Sequence, residues 1–235
     1  MLDLFSYGEA GWGDELVAGL LVTIQLAFAA LPAGLLLAFL AASASLSSVS
    51  ALRAAGRAYT TTMRGLPEIL TLFVVYNGVG LLLNSLYGWF GATDESVEFS
   101  PFAAGVIALG LVFGAFAGEV LRGAFQALDR GQVEAAVAAG MSRWLVFSRI
   151  KVPQIWRFAL PGLGNLWINL LKDTALVSVI ALDDLMRMTK VAAGYTKLPF
   201  SFYLAACLIY WGMSIGSEAV LARLERHANR GIRRA

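Results

Sequence analysis

Asn165, Asn169 and Lys172 recur at i, i+4 and i+7 in an otherwise apolar stretch, so a helix carries all three on one face. Polar groups in a bilayer are costly unless they face protein or a water-filled cavity, which makes the stripe a candidate site. Pro161, Gly162 and Gly164 just before it would loosen the helix and free backbone groups for a ligand. The competing reading is a set of interhelical hydrogen bonds that only hold a bundle together. Glu68 and Thr71 form a second polar pair, one helical step apart, at the start of another apolar run. That carboxylate can face a cationic ligand or be neutralised by Arg64 at i−4. If Glu68 lies near the start of its helix and Lys172 near the far end of another, roughly 16 Å of helical rise separates them. One small ligand then reaches Glu68, Thr71, Asn165 and Asn169 but not Lys172.

Gly212-Met213-Ser214-Ile215-Gly216 matches the Gly-x-Ser-x-Gly pattern of serine nucleophiles. It lacks a base: the only histidine, His227, stands thirteen residues further on in an arginine-rich tail. The pattern therefore reads as small-residue helix packing. So does Gly110, Gly114 and Gly118, a smooth strip every four residues that lets another helix approach within the chain or across a dimer. Beside it, Glu119 and Arg122 at i, i+3 can pair, a structural role.

These residues sit in a chain of 235 residues that is 58% hydrophobic and 14% charged, far from the soluble average of about 25% charged. Residues 16–52, 69–93, 99–118 and 198–217 contain no Asp, Glu, Lys or Arg. About 20 helical residues cross the hydrocarbon core, so each run is long enough to span it, and a soluble enzyme is excluded. Cys207 is the single cysteine, which excludes a disulfide scaffold. The acidic N-terminal stretch, with Asp3, Glu9, Asp14 and Glu15, does not resemble a cleavable signal peptide. The expected architecture is all-α: one integral membrane helix bundle over 1–235 with about five spans, 16–45, 60–86, 101–122, 156–175 and 198–222. Pro32 is a candidate kink in the first. An acidic loop is expected over 87–100, and a re-entrant or surface piece over 174–197.

Lys and Arg are retained in cytoplasmic loops. With the N-terminus outside, the cytoplasmic side holds Arg53, Arg57, Arg64, Arg122, Arg130, Arg143, Arg149, Lys151, Arg157 and five tail arginines. The outside holds only Arg187, Lys190 and Lys197. The bias sets the topology as N-out and C-in and places 123–155 in the cytoplasm. Scattered between apolar runs, the basic residues make no nucleic-acid surface.

The cytoplasmic segment contains Glu134-Ala135-Ala136-Val137-Ala138-Ala139-Gly140, then Ile150, Lys151, Val152 and Pro153. Physically this is a short helix over 132–139 of strong helix formers, a sharp exit at Gly140, and a proline that breaks the chain before it re-enters the membrane. A helix this short needs something to pack against, either its own membrane domain or a soluble partner.

With Val152 in place of Leu, the segment resembles the Glu-Ala-Ala, Gly, Ile-x-Leu-Pro signature of ABC importer membrane permeases. Thr62 to Glu68, Glu119 to Ala124 and Leu171 to Ser178 extend the likeness to the polar amino acid branch, including histidine/lysine/arginine/ornithine and octopine or nopaline permeases. The resemblance implies a type I permease fold in the bacterial cytoplasmic (inner) membrane, moving polar, basic amino acids or opines inward by alternating access. It also implies a second permease subunit, identical or paralogous, a pair of ABC ATPase subunits and a solute-binding protein outside. In such importers the helix bearing Glu134, Ala135, Ala136 and Gly140 couples to the ATPase. No Gly-Lys dipeptide occurs, so this chain carries no Walker A phosphate loop, and ATP and Mg belong to the partner. The rival is an ion-coupled secondary transporter, though no inverted repeat is visible and the docking segment would then have no purpose.

Overall fold

The computed structural model describes residues 2–8, 11–89 and 99–229. Every described element is helical. After a short 3-10 turn come α1 (Gly13–Ser45), α2 (Ser50–Gly65), α3 (Glu68–Trp89), α4 (Pro101–Gln126), α5 (Arg130–Ala138), α6 (Arg143–Val146) and α7 (Val152–Asp173). Then follow a 3-10 segment (Thr174–Ile180), α8 (Leu185–Thr196) and α9 (Pro199–Ala228). Most of the expected acidic loop, with Asp94, Glu95 and Glu98, and the tail arginines Arg230, Arg233 and Arg234 lie outside the described residues.

The centre of the bundle is the pair α1 and α4, which run parallel. Gly105 lies against Leu26, Gly110 against Ala30, Ala33 and Gly34, Gly114 against Leu37, and Gly118 against Ala38 and Ala41, so both sequences advance together. Two parallel neighbours need a return crossing between them, and α2 with α3 supplies it. Packing is close because side chains are absent where the helices meet: a Cβ on Gly34 would stand 2.6 Å from the Phe113 ring, and one on Gly114 2.7 Å from the Leu37 Cβ. Gly114 also admits Tyr59 of α2, whose hydroxyl donates to the Leu111 carbonyl at 2.7 Å. The glycine strip thus faces α1 and α2 of its own chain. A second tie joins α2 to α4, where the Thr60 hydroxyl donates to Glu119 Oε1 at 3.1 Å and Arg122 pairs with Glu119 Oε2 at 2.6 Å.

Overpacking a tight contact costs about 1–3 kcal/mol. At Gly114 the new Cβ meets Leu37, Tyr59 Oη and the Gly34 carbonyl together, and a backbone atom cannot swing aside. Gly114→Ala is expected to lower the thermal midpoint of the purified protein by several degrees and to break the Tyr59 hydrogen bond. Gly123→Ala, where a Cβ meets nothing, is the control.

The expected second span is divided. Rather than one helix over 60–86, α2 ends at Gly65 and α3 begins at Glu68, because Pro67 lacks the N–H that would continue the ladder and holds Leu66 extended (φ −94°, ψ 142°). Pro32 lies inside α1 without interrupting it. Pro153 does not break the chain: it lies at the start of α7, and helical structure runs on through it from a π turn at Phe147–Lys151. Beyond α7 the path bends by 54° into α8.

Helix directions agree with five crossings. α7 runs against α4, with Gly162 at Val120 and Gly105 at Val177, and α9 runs against α7, with Gly164 at Leu221. The N-terminal segment, α8 and the start of α9 gather at one end, where Phe5 meets Phe202 at 5.3 Å and Trp12 meets Tyr195 at 5.6 Å. By the Lys and Arg bias this end is outside. Four single helices are long and apolar enough to cross a membrane, and the bent α7–α8 path makes a fifth.

Candidate functional site

Splitting the second crossing decides where its carboxylate sits. With the helix broken at Pro67, Glu68 stands at the head of α3, part-buried and level with the middle of α4. It lines a cavity of about 70 Å³ with Leu109, Val112, Phe113 and Phe116 of α4 and with Leu166, Asn169, Leu170 and Asp173 of α7. The carboxyl groups of Glu68 and Asp173 come within hydrogen-bonding and electrostatic reach of each other. Two facing carboxyl groups are comfortable together only with a cation or a proton between them. The expected 16 Å offset from this stretch of α7 therefore does not exist: the residue next to Lys172 lines the same cavity as Glu68.

The four expected ligand residues separate accordingly. Glu68 and Asn169 share the cavity. Thr71 is 5% exposed on the buried side of α3, with its hydroxyl unpartnered among the described residues, and Asn165 is exposed a turn before Asn169; neither lines the cavity. Asp173 was missed because the intact-helix reading placed Glu68 too near the membrane surface. Lys172 is exposed and points round α7 into a recess with Met186, Tyr203 and Tyr210. Arg64 does not neutralise Glu68: with the helix broken at Pro67 it is no longer one turn away, and its guanidinium lies over the Phe116 ring, 5.5 Å from the centroid. Among the described residues the salt bridges are Glu119 with Arg122 and Asp183 with Arg187.

Ser214 is not an activated nucleophile. Its hydroxyl donates to the Tyr210 carbonyl at 3.0 Å, the common backbone bond of a helical serine.

At the cytoplasmic end, α5 is built as a self-contained helix. Asp129 caps it by accepting from the Gly131 N–H at 2.8 Å. It closes in a Schellman turn: the Gly140 N–H donates to the Val137 carbonyl at 2.9 Å and that of Met141 to Ala136 at 3.1 Å. The turn needs Gly140 at φ +79°, where a side chain is strained. Only Ala136 is buried; Glu134 and Ala135 are exposed, as is Val137 at 59%. Beside them Trp144 is 72% exposed. A valine and a large indole are thus open on the same segment as Glu134. Neither residue was singled out from the sequence, although Trp144 on a polar segment was the available signal. The Gln154 side chain donates to that of Gln132 at 2.6 Å, which ties α5 to the base of α7.

Comparison with known proteins places this arrangement. The model of the binding-protein-dependent transport system inner membrane component family matches residues 30–230. The nopaline transport system permease protein NocQ of Agrobacterium fabrum is 43% identical, covering 99% of this chain and 98% of that protein. The arginine ABC transporter permease protein ArtQ of Escherichia coli is 42% identical, over 91% and 94%. A crystal structure of an amino acid ABC transporter with histidines superposes with a TM-score of 0.78 at 31% identity, covering 92% of this chain and 95% of that one. The MetNI methionine ABC transporter, at 16% identity and a TM-score of 0.68, shares the fold. The chain belongs to the family of binding-protein-dependent transport system inner membrane components and is a permease subunit of the type I ABC importer fold.

Proposed function

We propose that this permease carries amino acids with a cationic side chain, or opines, from a solute-binding protein outside to the cytoplasm across a bacterial inner membrane. The observation that carries the reading is the Glu68 and Asp173 pair beside Asn169, lining one cavity between α3, α4 and α7. A cavity of 70 Å³ is smaller than the roughly 150 Å³ that takes a benzene ring, so it admits the cationic tip of a cargo and not the whole molecule. The remainder lies along the exposed α7 face, where Asn165 and Asn169 offer hydrogen bonds. In one chain this polar face is open. A second permease subunit closes it, since polar side chains turned to lipid are costly.

ATP and Mg are held by ABC ATPase subunits docked on α5, Val137 and Trp144. Nucleotide-driven closure moves α5, the Gln132 and Gln154 bond passes the movement to α7, and α7 carries Asn169 and Asp173. Alternating access is then a rigid-body rearrangement of the spans. Reconstitution with the cognate ATPase and binding protein tests the reading across arginine, lysine, histidine, ornithine, glutamine and opines. Cationic compounds are expected to stimulate ATP hydrolysis most; if none of them does, Glu68 and Asp173 are not a cargo site. Uptake that persists without an ATPase subunit would restore the ion-coupled secondary transporter.

A further inference from the structure

On the opposite side of α7 from the polar stripe, α1, α7 and α9 enclose a groove of about 470 Å³. Trp167 lies at its floor, two residues from both Asn165 and Asn169 and so roughly 160° around the helix from each. Its lining is apolar except for the Ser217 hydroxyl, which already accepts from the Trp167 indole N–H at 3.1 Å. Water finds no free partner there, and a polar cargo has no reason to enter. The groove nevertheless needs filling: α9 has only Phe202 and Ala206 buried, both at its outer end, so its cytoplasmic half stands off from α1.

From Trp156 to Leu171 the groove follows α7 for about 22 Å, more than the roughly 15 Å of one leaflet's hydrocarbon. Trp156, half-exposed at its cytoplasmic mouth, suits the membrane interface. Arg223 follows Gly216 by two turns on the same face of α9, is exposed, and brings positive charge to that mouth. We infer that the groove holds one acyl chain of an anionic phospholipid of the cytoplasmic leaflet, with its headgroup at Arg223. A second copy of the chain is the poorer occupant, because the polar face that requires covering lies on the other side of α7.

The test uses the full-length protein in bilayers of phosphatidylglycerol or phosphatidylcholine carrying a photoreactive group midway along the acyl chain, with labelled residues mapped by mass spectrometry. Label is expected to concentrate on the groove over the exposed α3 side chains Val74 and Leu81. Phosphatidylglycerol should exceed phosphatidylcholine by about fivefold, the worth of one basic residue at an anionic surface, and Arg223→Gln should abolish that preference. Gly216→Leu places a side chain where a Cβ meets nothing within 4 Å, and should cut groove labelling severalfold with α3 labelling unchanged. Equal labelling of groove and α3 in the wild type, which needs no variant to fold, overturns the inference. So does efficient disulfide formation between two Val220→Cys chains.

Discussion

Replacing Glu68 with Gln is expected to abolish most transport of cationic cargo while leaving the protein folded. A hydrogen bond to a charged group is worth about 1.5–3 kcal/mol, which corresponds to roughly a tenfold to hundredfold loss of affinity. Asp173→Asn should act in the same direction, because both carboxyl groups face one cavity. Sharing one cavity couples the two effects, so the double variant should lose less than the sum of the singles. Neutral glutamine, if carried at all, should be affected far less than arginine, and that difference separates a charge-reading site from a general defect. The measurement is radiolabelled uptake into proteoliposomes with binding protein and ATPase present. Equal losses for arginine and glutamine would make Glu68 a structural residue.

Much of this arrangement was legible from residue types. Charge-free runs marked the long apolar helices, and the Gly110, Gly114 and Gly118 spacing pointed to close helix contact. Depth was not legible. Hydrophobic density does not distinguish one helix over 60–86 from two helices joined at Leu66 and Pro67, because α2 is amphipathic and merges into the apolar run behind it. That single break moved Glu68 inward and put it in one cavity with Asp173, more than a hundred positions away in the chain. Pro153 failed for the opposite reason. A proline reads equally as a stop or as a first-turn residue, and only the helical path of Phe147–Lys151 ahead of it decides.

Gly140→Val should uncouple the importer rather than unfold it. At φ +79° a non-glycine residue pays about 1–2 kcal/mol, more when β-branched, and α5 is too short to hold its shape without its closing turn. Losing the Schellman bonds to Val137 and Ala136 would fray the face that presents Glu134, Val137 and Trp144. Because α5 buries only Ala136, the spans keep their packing. The thermal midpoint of the isolated permease should therefore hardly change, while stimulation of ATP hydrolysis by loaded binding protein falls at least about tenfold, the effect of losing roughly 1.4 kcal/mol of docking. Trp144→Ala should weaken ATPase association without altering the turn, and Gln154→Ala should preserve association yet reduce transport per ATP, since it cuts the 2.6 Å link between α5 and α7. These three signatures differ: a lost helix, a lost contact and a lost linkage. If Gly140→Val keeps full stimulation, force enters the membrane domain somewhere other than α5.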